Sequence, residues 1–249
     1  MDNIEINKNK FHKGYESITS DQMYQIENNG EKIIGMRKLL MMENAGAKIS
    51  EFLIDYFGDA LSNKKIVSIC GLGNNGGDTI VANRHISAYL SSKFSIKDNS
   101  NLILVLLGNA EQIKTEESKT NWKIIEKVHS IKKIIFNTES KTAIEMEIEK
   151  SDIIIDGLIG TGIKGKLKEP YSSLIDKINH QKSKSFILSV DIPSGLNPDT
   201  GKIDDKSIKA DVTITFHRIK QGLLKNAEHC GNIFPVKIGI PIEAEVGVV

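Results

Sequence analysis

Residues 69–78 read Ile69-Cys70-Gly71-Leu72-Gly73-Asn74-Asn75-Gly76-Gly77-Asp78, and the fold of the whole chain turns on how this stretch is read. The apolar, β-branched run Ile66, Val67, Ile69 stops at a cluster of glycines, two asparagines and an aspartate. Beyond it, Ile80, Val81, Ala82, Ile86, Ala88 and Leu90 mark one helical face. The pattern predicts a strand, a tight loop and a helix N-terminus, where free backbone N–H groups and the positive end of the dipole attract an anion such as phosphate. Gly76 and Gly77 carry no Cβ, so close approach of a ligand to the backbone is expected there. An ordinary βα turn that binds nothing has the same outline. The asparagines and aspartate among the glycines favour a binding loop.

Outward from this loop, strand-like and helix-like patterns alternate. Apolar runs fall at 65–70, 102–107, 133–136, 153–155, 186–190, 212–216 and 234–238, with helical spacing at 116–128, 140–150 and 171–179. Such alternation predicts a parallel sheet covered on both faces and wound in right-handed crossovers. Segment 20–57 reads as two further helices, capped at Ser20-Asp21 and broken from Gly30 to Gly35. Segments 91–101 and 109–117 read as loops. No repeat and no Pro- or Gly-rich linker divides the chain, so a single domain over 1–249 is expected.

Composition narrows the class. In 249 residues, 33 Lys and Arg against 32 Asp and Glu leave a formal charge of +1, so no field for a nucleic acid is evident. Two cysteines, Cys70 and Cys230, cannot build a zinc cage alone, and Cys70 in a strand pattern reads as a buried thiol. Residues 1–15 are polar, without the apolar core of a signal peptide, and the run 102–107 is far too short to cross a bilayer. A soluble, cytoplasmic protein is expected.

Four polar clusters sit at expected strand ends: the glycine loop ending in Asp78, Asp156-Gly157-Leu158-Ile159-Gly160-Thr161-Gly162, Asp191-Ile192-Pro193-Ser194-Gly195, and His217-Arg218-Ile219-Lys220. In open parallel sheets ligands gather outside the carboxyl ends of the strands, so all four should meet on one rim. Asp156 and Asp191 could equally cap their own turns. Two carboxylates on one rim would repel unless a cation lay between them, and oxygen groups such as Asn75, Asp156 and Ser194 suit a hard cation rather than zinc. By base rate Lys220 reads as a surface lysine and His217 as a structural histidine. Lys164, Lys166 and Lys168 form a basic strip.

Taken together, these residues resemble the NAD(P)H-hydrate epimerases, the YjeF N-terminal domain family. Five segments carry the resemblance from about Ser17 to Gly239. They are Leu40-Met41-Met42-Glu43-Asn44-Ala45-Gly46, the glycine loop, Asp156 to Gly162, Val190-Asp191-Ile192-Pro193-Ser194-Gly195-Leu196, and Ala210-Asp211-Val212-Thr213-Ile214-Thr215-Phe216. The resemblance implies a Rossmann-like three-layer αβα sandwich with two extra N-terminal helices. It implies epimerisation of the R and S forms of hydrated NADH and NADPH, feeding a separate NAD(P)HX dehydratase whose domain is not fused here. It also implies that Asn74, Asn75, Gly76, Gly77 and Asp78, with Gly160, Thr161, Gly162, Ile163, Lys164, Gly165 and Lys166, bind the hydrated dinucleotide, and that Asp191 contacts it. Asn75, Asp156 and Ser194 match the positions that hold one potassium ion per subunit. Thr79 stands where the family usually has glycine. The N-terminal helices offer a surface for a homodimer.

The hydrate is a hemiaminal, so loss of hydroxide gives an iminium that water can re-attack from the other face. That chemistry needs a proton donor, a proton acceptor and negative charge beside the cation; Asp191 is the first candidate and Lys220 the second. A catalytically inactive scaffold of the same fold is the alternative. A nicotinamide oxidoreductase would want Gly-x-Gly-x-x-Gly, which Gly71, Gly73 and Gly76 supply. It would also want an acidic residue about 20 positions on, which 101–107 does not supply. A kinase would want Gly-Lys-Ser/Thr, which is absent.

Overall fold

The computed structural model describes residues 17–96, 100–160 and 165–249. Strand β1 (Ile66–Cys70) is buried along its whole length, as are β2 (Leu102–Leu106) and β4 (Ile153–Gly157). These three form the middle of a seven-stranded sheet with β3 (Lys132–Ile135), β5 (Phe186–Val190), β6 (Val212–Phe216) and β7 (Asn232–Val236), in the order β3-β2-β1-β4-β5-β6-β7. Every pairing is parallel. Near-continuous Ile, Val and Leu suit strands covered on both faces. Pro235, which cannot donate to a ladder, lies in the edge strand β7.

Alternation along the strands divides the core in two. Ile66, Cys70, Leu102, Leu104, Ile153, Leu188 and Ile214 share one apolar cluster with residues of α1 (Ser20–Lys32), α2 (Lys38–Phe57), α3 (Asn74–Phe94) and α4 (Glu116–Ile125). Val67, Ile69, Ile103, Ile154 and Ile187 face the other way, toward α5 (Lys141–Glu149) and α6 (Tyr171–His180). The result is the expected three-layer α/β architecture, with α1 and α2 added on the α3 side. Helix α2 packs closely on α3 because Gly46 leaves room there; a Cβ on it would strike the Val81 side chain. Both cysteines are buried and free.

Several boundaries differ from the sequence reading. Helix α1 is capped by Thr19, not by Ser20-Asp21: Gln22 N donates to Thr19 Oγ1 (3.1 Å) and Thr19 N donates to Gln22 Oε1 (2.9 Å), a reciprocal capping box. Gly30 lies inside α1, buried against Met41, and the break falls after Lys32. Helix α3 extends into the supposed loop at both ends: it starts at Asn74, so the glycine cluster forms its first turns, and it runs to Phe94. Helix α4 is shorter than its pattern and β7 begins two residues before its apolar run.

Strand order reverses between β1 and β4, since β2 and β3 continue to one side and β5 to β7 to the other. That is the topological switch point, and the crevice outside the carboxyl ends of β1 and β4 is where this fold class binds ligands.

Candidate active site

A cleft of about 780 Å³ opens at this switch point, within the size range of small-molecule sites. Its wall includes Gly73, Asn74, Asn75 and Asp78 after β1, Gly160, Lys166 and Lys168 after β4, Asp191 after β5, and Phe216 and Lys220 after β6. The four strand-end clusters therefore do converge. Gly76 and Gly77 are not on the wall. A Cβ on Gly76 would collide with the Gly71 carbonyl oxygen, and one on Gly77 with Ser118 Oγ and Met42. These two glycines make room for the protein's own chain. Gly73 is the glycine with open space around it. The backbone N–H groups in the first turn of α3 still face the cleft end of the helix, where no preceding turn can accept them.

Asp156 and Ser194 lie fully buried beneath the cleft floor. Asp156 Oδ1 accepts from Ser194 Oγ (2.5 Å) and Leu158 N (3.3 Å), while Oδ2 accepts from Ser189 Oγ (2.8 Å) and Ser194 N (2.9 Å). Burial pushes the Asp156 carboxyl up, and those four donors pull it only part of the way back. Beside it, the Asn75 amide nitrogen is buried with no partner among the described residues. Gly165 N donates to Asp204 (3.0 Å) and Leu167 N to Asp205 (3.2 Å), which ties down the far end of the 160–168 segment. Thr161, Gly162, Ile163 and Lys164 lie outside the described residues.

Asp191 sits at φ +60, a conformation non-glycine residues rarely adopt and one that recurs at functional sites. Its Oδ1 accepts from Phe216 N (3.0 Å), Thr215 Oγ1 (3.1 Å) and the Lys220 ammonium. Lys220 is only 1% exposed, not a surface lysine. It also donates to the Phe216 carbonyl (3.0 Å) and Thr215 Oγ1 (3.3 Å). The positive charge balancing Asp191 is therefore a side chain of the chain itself.

Sequence reasoning missed Glu27. It is on the wall of the cleft, and burial, with a smaller push from Asp191, raises its carboxyl to about 7 against the pull of Lys220 and Lys38. Asp78 is raised well above the usual carboxylate range by burial, then by Asp191 and Glu27, with Lys220 opposing. A signal for Glu27 did exist: it follows Met23 and Ile26 on the stripe that Gly30 continues, the one carboxylate on the buried face of α1. His217 is buried, held neutral by a pKa pushed down to about 4 through burial and Lys237, and its Nε2 lies 2.7 Å from Glu245 Oε1, off the cleft wall. It is structural, as the sequence suggested. Thr79, the departure from the family pattern, is accommodated: it is buried and its hydroxyl donates to the Asn75 carbonyl (2.8 Å).

The model of the family described as YjeF-related protein N-terminus matches residues 38–222, which include the four strand ends just described but not α1. The chain belongs to this family. It is 45% identical over 231 residues to the NAD(P)H-hydrate epimerase of Nitrosopumilus maritimus, covering 93% of this chain and 99% of the relative. It is 41% identical, with the same coverage, to that of Cenarchaeum symbiosum. The bifunctional NAD(P)H-hydrate repair enzyme Nnr of Methanothermobacter thermautotrophicus is 37% identical over 86% of this chain, which spans 38% of that longer protein. Among solved structures, the crystal structure of yeast ynu0, YNL200c, superimposes with a TM-score of 0.73 at 21% identity, covering 89% of this chain and 88% of the other. At that identity the match bears on the fold alone. Among the described residues no helix is long and apolar enough to cross a membrane.

Proposed function

We propose that this protein is an NAD(P)H-hydrate epimerase, an isomerase that interconverts the R and S hydrates of NADH and NADPH for a dehydratase to consume. The observation that carries the reading is a cleft, at the switch point of a family member, lined by a helix N-terminus on one side and by Asp191 on the other. The near full-length likeness to two epimerases supports it, and the fusion relatives support a dehydratase partner.

In this reading, the first-turn amides of α3 and Lys166 hold the pyrophosphate, with Asn74 and Asn75 orienting the nucleotide. Asp191 faces the hydroxyl-bearing carbon. Proton transfer at the hydroxyl lets the C–O bond break, with its electron pair leaving on oxygen while the ring nitrogen closes an iminium. The negative charge around Asp191 stabilises that cation, and water adds to the opposite face.

A potassium ion fits the residues beneath the floor. Asp156 is enclosed with neutral donors only, and the neighbouring groups, Asn75 and Ser194, offer oxygen ligands suited to a hard monovalent cation. When bound, the ion would neutralise the Asp156 charge and fix the loops after β4 and β5. Asn75, Asp156 and Ser194 would hold it.

The test is direct: one purified hydrate epimer is incubated with the purified protein and followed by NMR or chromatography. Interconversion faster than the uncatalysed rate supports the reading. Net redox change, or binding without conversion, overturns it.

A further inference from the structure

Inverting a hemiaminal carbon needs proton transfer on both faces of the ring. A group on one face protonates the departing hydroxyl, and a group on the other takes a proton from the incoming water. Asp191 provides one such group. Lys220 is poorly placed to be the other, because an ammonium has three N–H donors and Lys220 aims them at Asp191 Oδ1, Thr215 Oγ1 and the Phe216 carbonyl. Its geometry is that of a fixed counter-charge.

The geometry points to Glu27 as the second proton-transfer group of the reaction, acting from α1 on the face of the substrate away from Asp191. This rests on the epimerase reading and names a residue of its site. Two observations of placement carry it. First, Glu27 lines two spaces at once: the main cleft and a cavity of about 50 Å³ that it shares with Asn74, Asp78 and Lys38. That volume holds at least one water, and the polar groups on its wall provide the partners a water requires. A water placed there lies against a carboxyl that can exchange a proton with it. Second, α1 is fastened where it carries Glu27. Ile18 pairs with the strand-like segment at Lys220, its N–H bonding the Ile219 carbonyl (2.9 Å) and its carbonyl accepting from Gln221 N (3.0 Å). Ser20 N and Oγ donate to Asp199 (2.6 and 2.8 Å), and Asn29 Nδ2 donates to the Ala244 carbonyl (3.0 Å). Through Ile18 the start of the helix is held against the β6–β7 connection that carries Lys220.

The step balances. Glu27, protonated, gives its proton to the hydroxyl, which leaves as water with the C–O electron pair while the nitrogen lone pair forms C=N⁺. The incoming water adds its oxygen lone pair to that carbon, the π pair returns to nitrogen, and the Asp191 carboxylate takes a proton. One proton has moved from Glu27 to Asp191 and the hydroxyl has changed faces; the reverse conversion runs the same steps backwards. A carboxyl whose pKa lies near 7, with Lys220, Lys38, Asp191 and Asp78 around it, can donate and accept near neutral pH.

Glu27→Gln keeps the shape and removes the transferable proton. Expected is a fall in kcat of about a hundredfold or more in both directions, with KM and hydrate affinity by calorimetry within threefold. The inflection near pH 7 in kcat/KM should disappear, and Glu27→Asp should recover more activity than Glu27→Gln. A role confined to packing would leave that inflection in place. An active wild type matched within threefold by Glu27→Gln, or a variant that keeps the inflection, overturns this proposal alone. An inactive wild type removes the epimerase reading and this proposal with it.

Discussion

Two carboxylates, one beneath the cleft and one on its wall, are housed in opposite ways. Asp156, under the floor, is held by four neutral donors within 3.3 Å, two on each oxygen. Glu27, on the wall, has no hydrogen-bond donor among the described residues and is governed by burial and by charges that pull in both directions. A carboxylate held on both oxygens is a fixed strut, while one without donors and near its own pKa can change protonation state. The floor of this site is built to hold loops and a charge still, and the wall is built to move protons. Asp191 stands between them, its Oδ1 saturated by three donors.

The largest effect expected from breaking this arrangement is at Asp191. Asp191→Asn should keep the fold and hydrate binding yet lower epimerisation by about a thousandfold, as measured by single-epimer conversion. Turnover near that of the wild type would remove Asp191 from the chemistry.

Next comes the strut. Asp156→Ala leaves buried donors of Ser189, Ser194 and Leu158 without their acceptor, at about 1–3 kcal/mol each. Its Tm should fall by well over 5 °C. Asp156→Asn should fold, but lose the rise in Tm that potassium chloride gives the wild type relative to choline chloride. An equal rise in both proteins would move the cation elsewhere.

A smaller contrast separates packing glycines from the open one. Gly76→Ala meets the Gly71 backbone and should cost about 1–3 kcal/mol in urea unfolding. Gly73→Ala meets nothing within 4 Å and should cost under about 1 kcal/mol, mostly from its N-cap position.

The smallest effect is on stability at Glu27, and its sign is informative. The folded-state pKa of about 7 exceeds the ordinary 4.5, so the folded protein binds the proton more tightly than the unfolded chain. The stability this gives is complete below about pH 4.5 and lost as pH rises through 7. Glu27→Gln should therefore match the wild type in Tm near pH 4.5 and exceed it by a few degrees at pH 8. A variant both more stable and less active is the mark of a residue kept for function.

Much of this was legible in the sequence, for identifiable reasons. The alternation of apolar runs and helical spacing fixed a parallel sheet, and parallel strands oblige their carboxyl ends to share a rim. Asp191, Asn74, Asp78 and Lys220 therefore met as expected. What was hidden depended on partners distant in the chain. The role of Gly77 is set by Met42 and Ser118, and that of Lys220 by Asp191 and Thr215; neither neighbourhood can be counted along a helix or strand. The cap at Thr19 was a matter of one residue, decided by which hydroxyl Gln22 could reach. Glu27 was readable only as a charge interrupting an apolar stripe.

The account is tested most directly by the crystal structure of the protein with a bound hydrated dinucleotide. It predicts the pyrophosphate at the first turn of α3 and the hydroxyl-bearing carbon between Asp191 and Glu27, with one carboxyl toward each face of the ring. A nicotinamide ring lying out of reach of Asp191, or a dinucleotide seated away from the β1–β4 crevice, would contradict it.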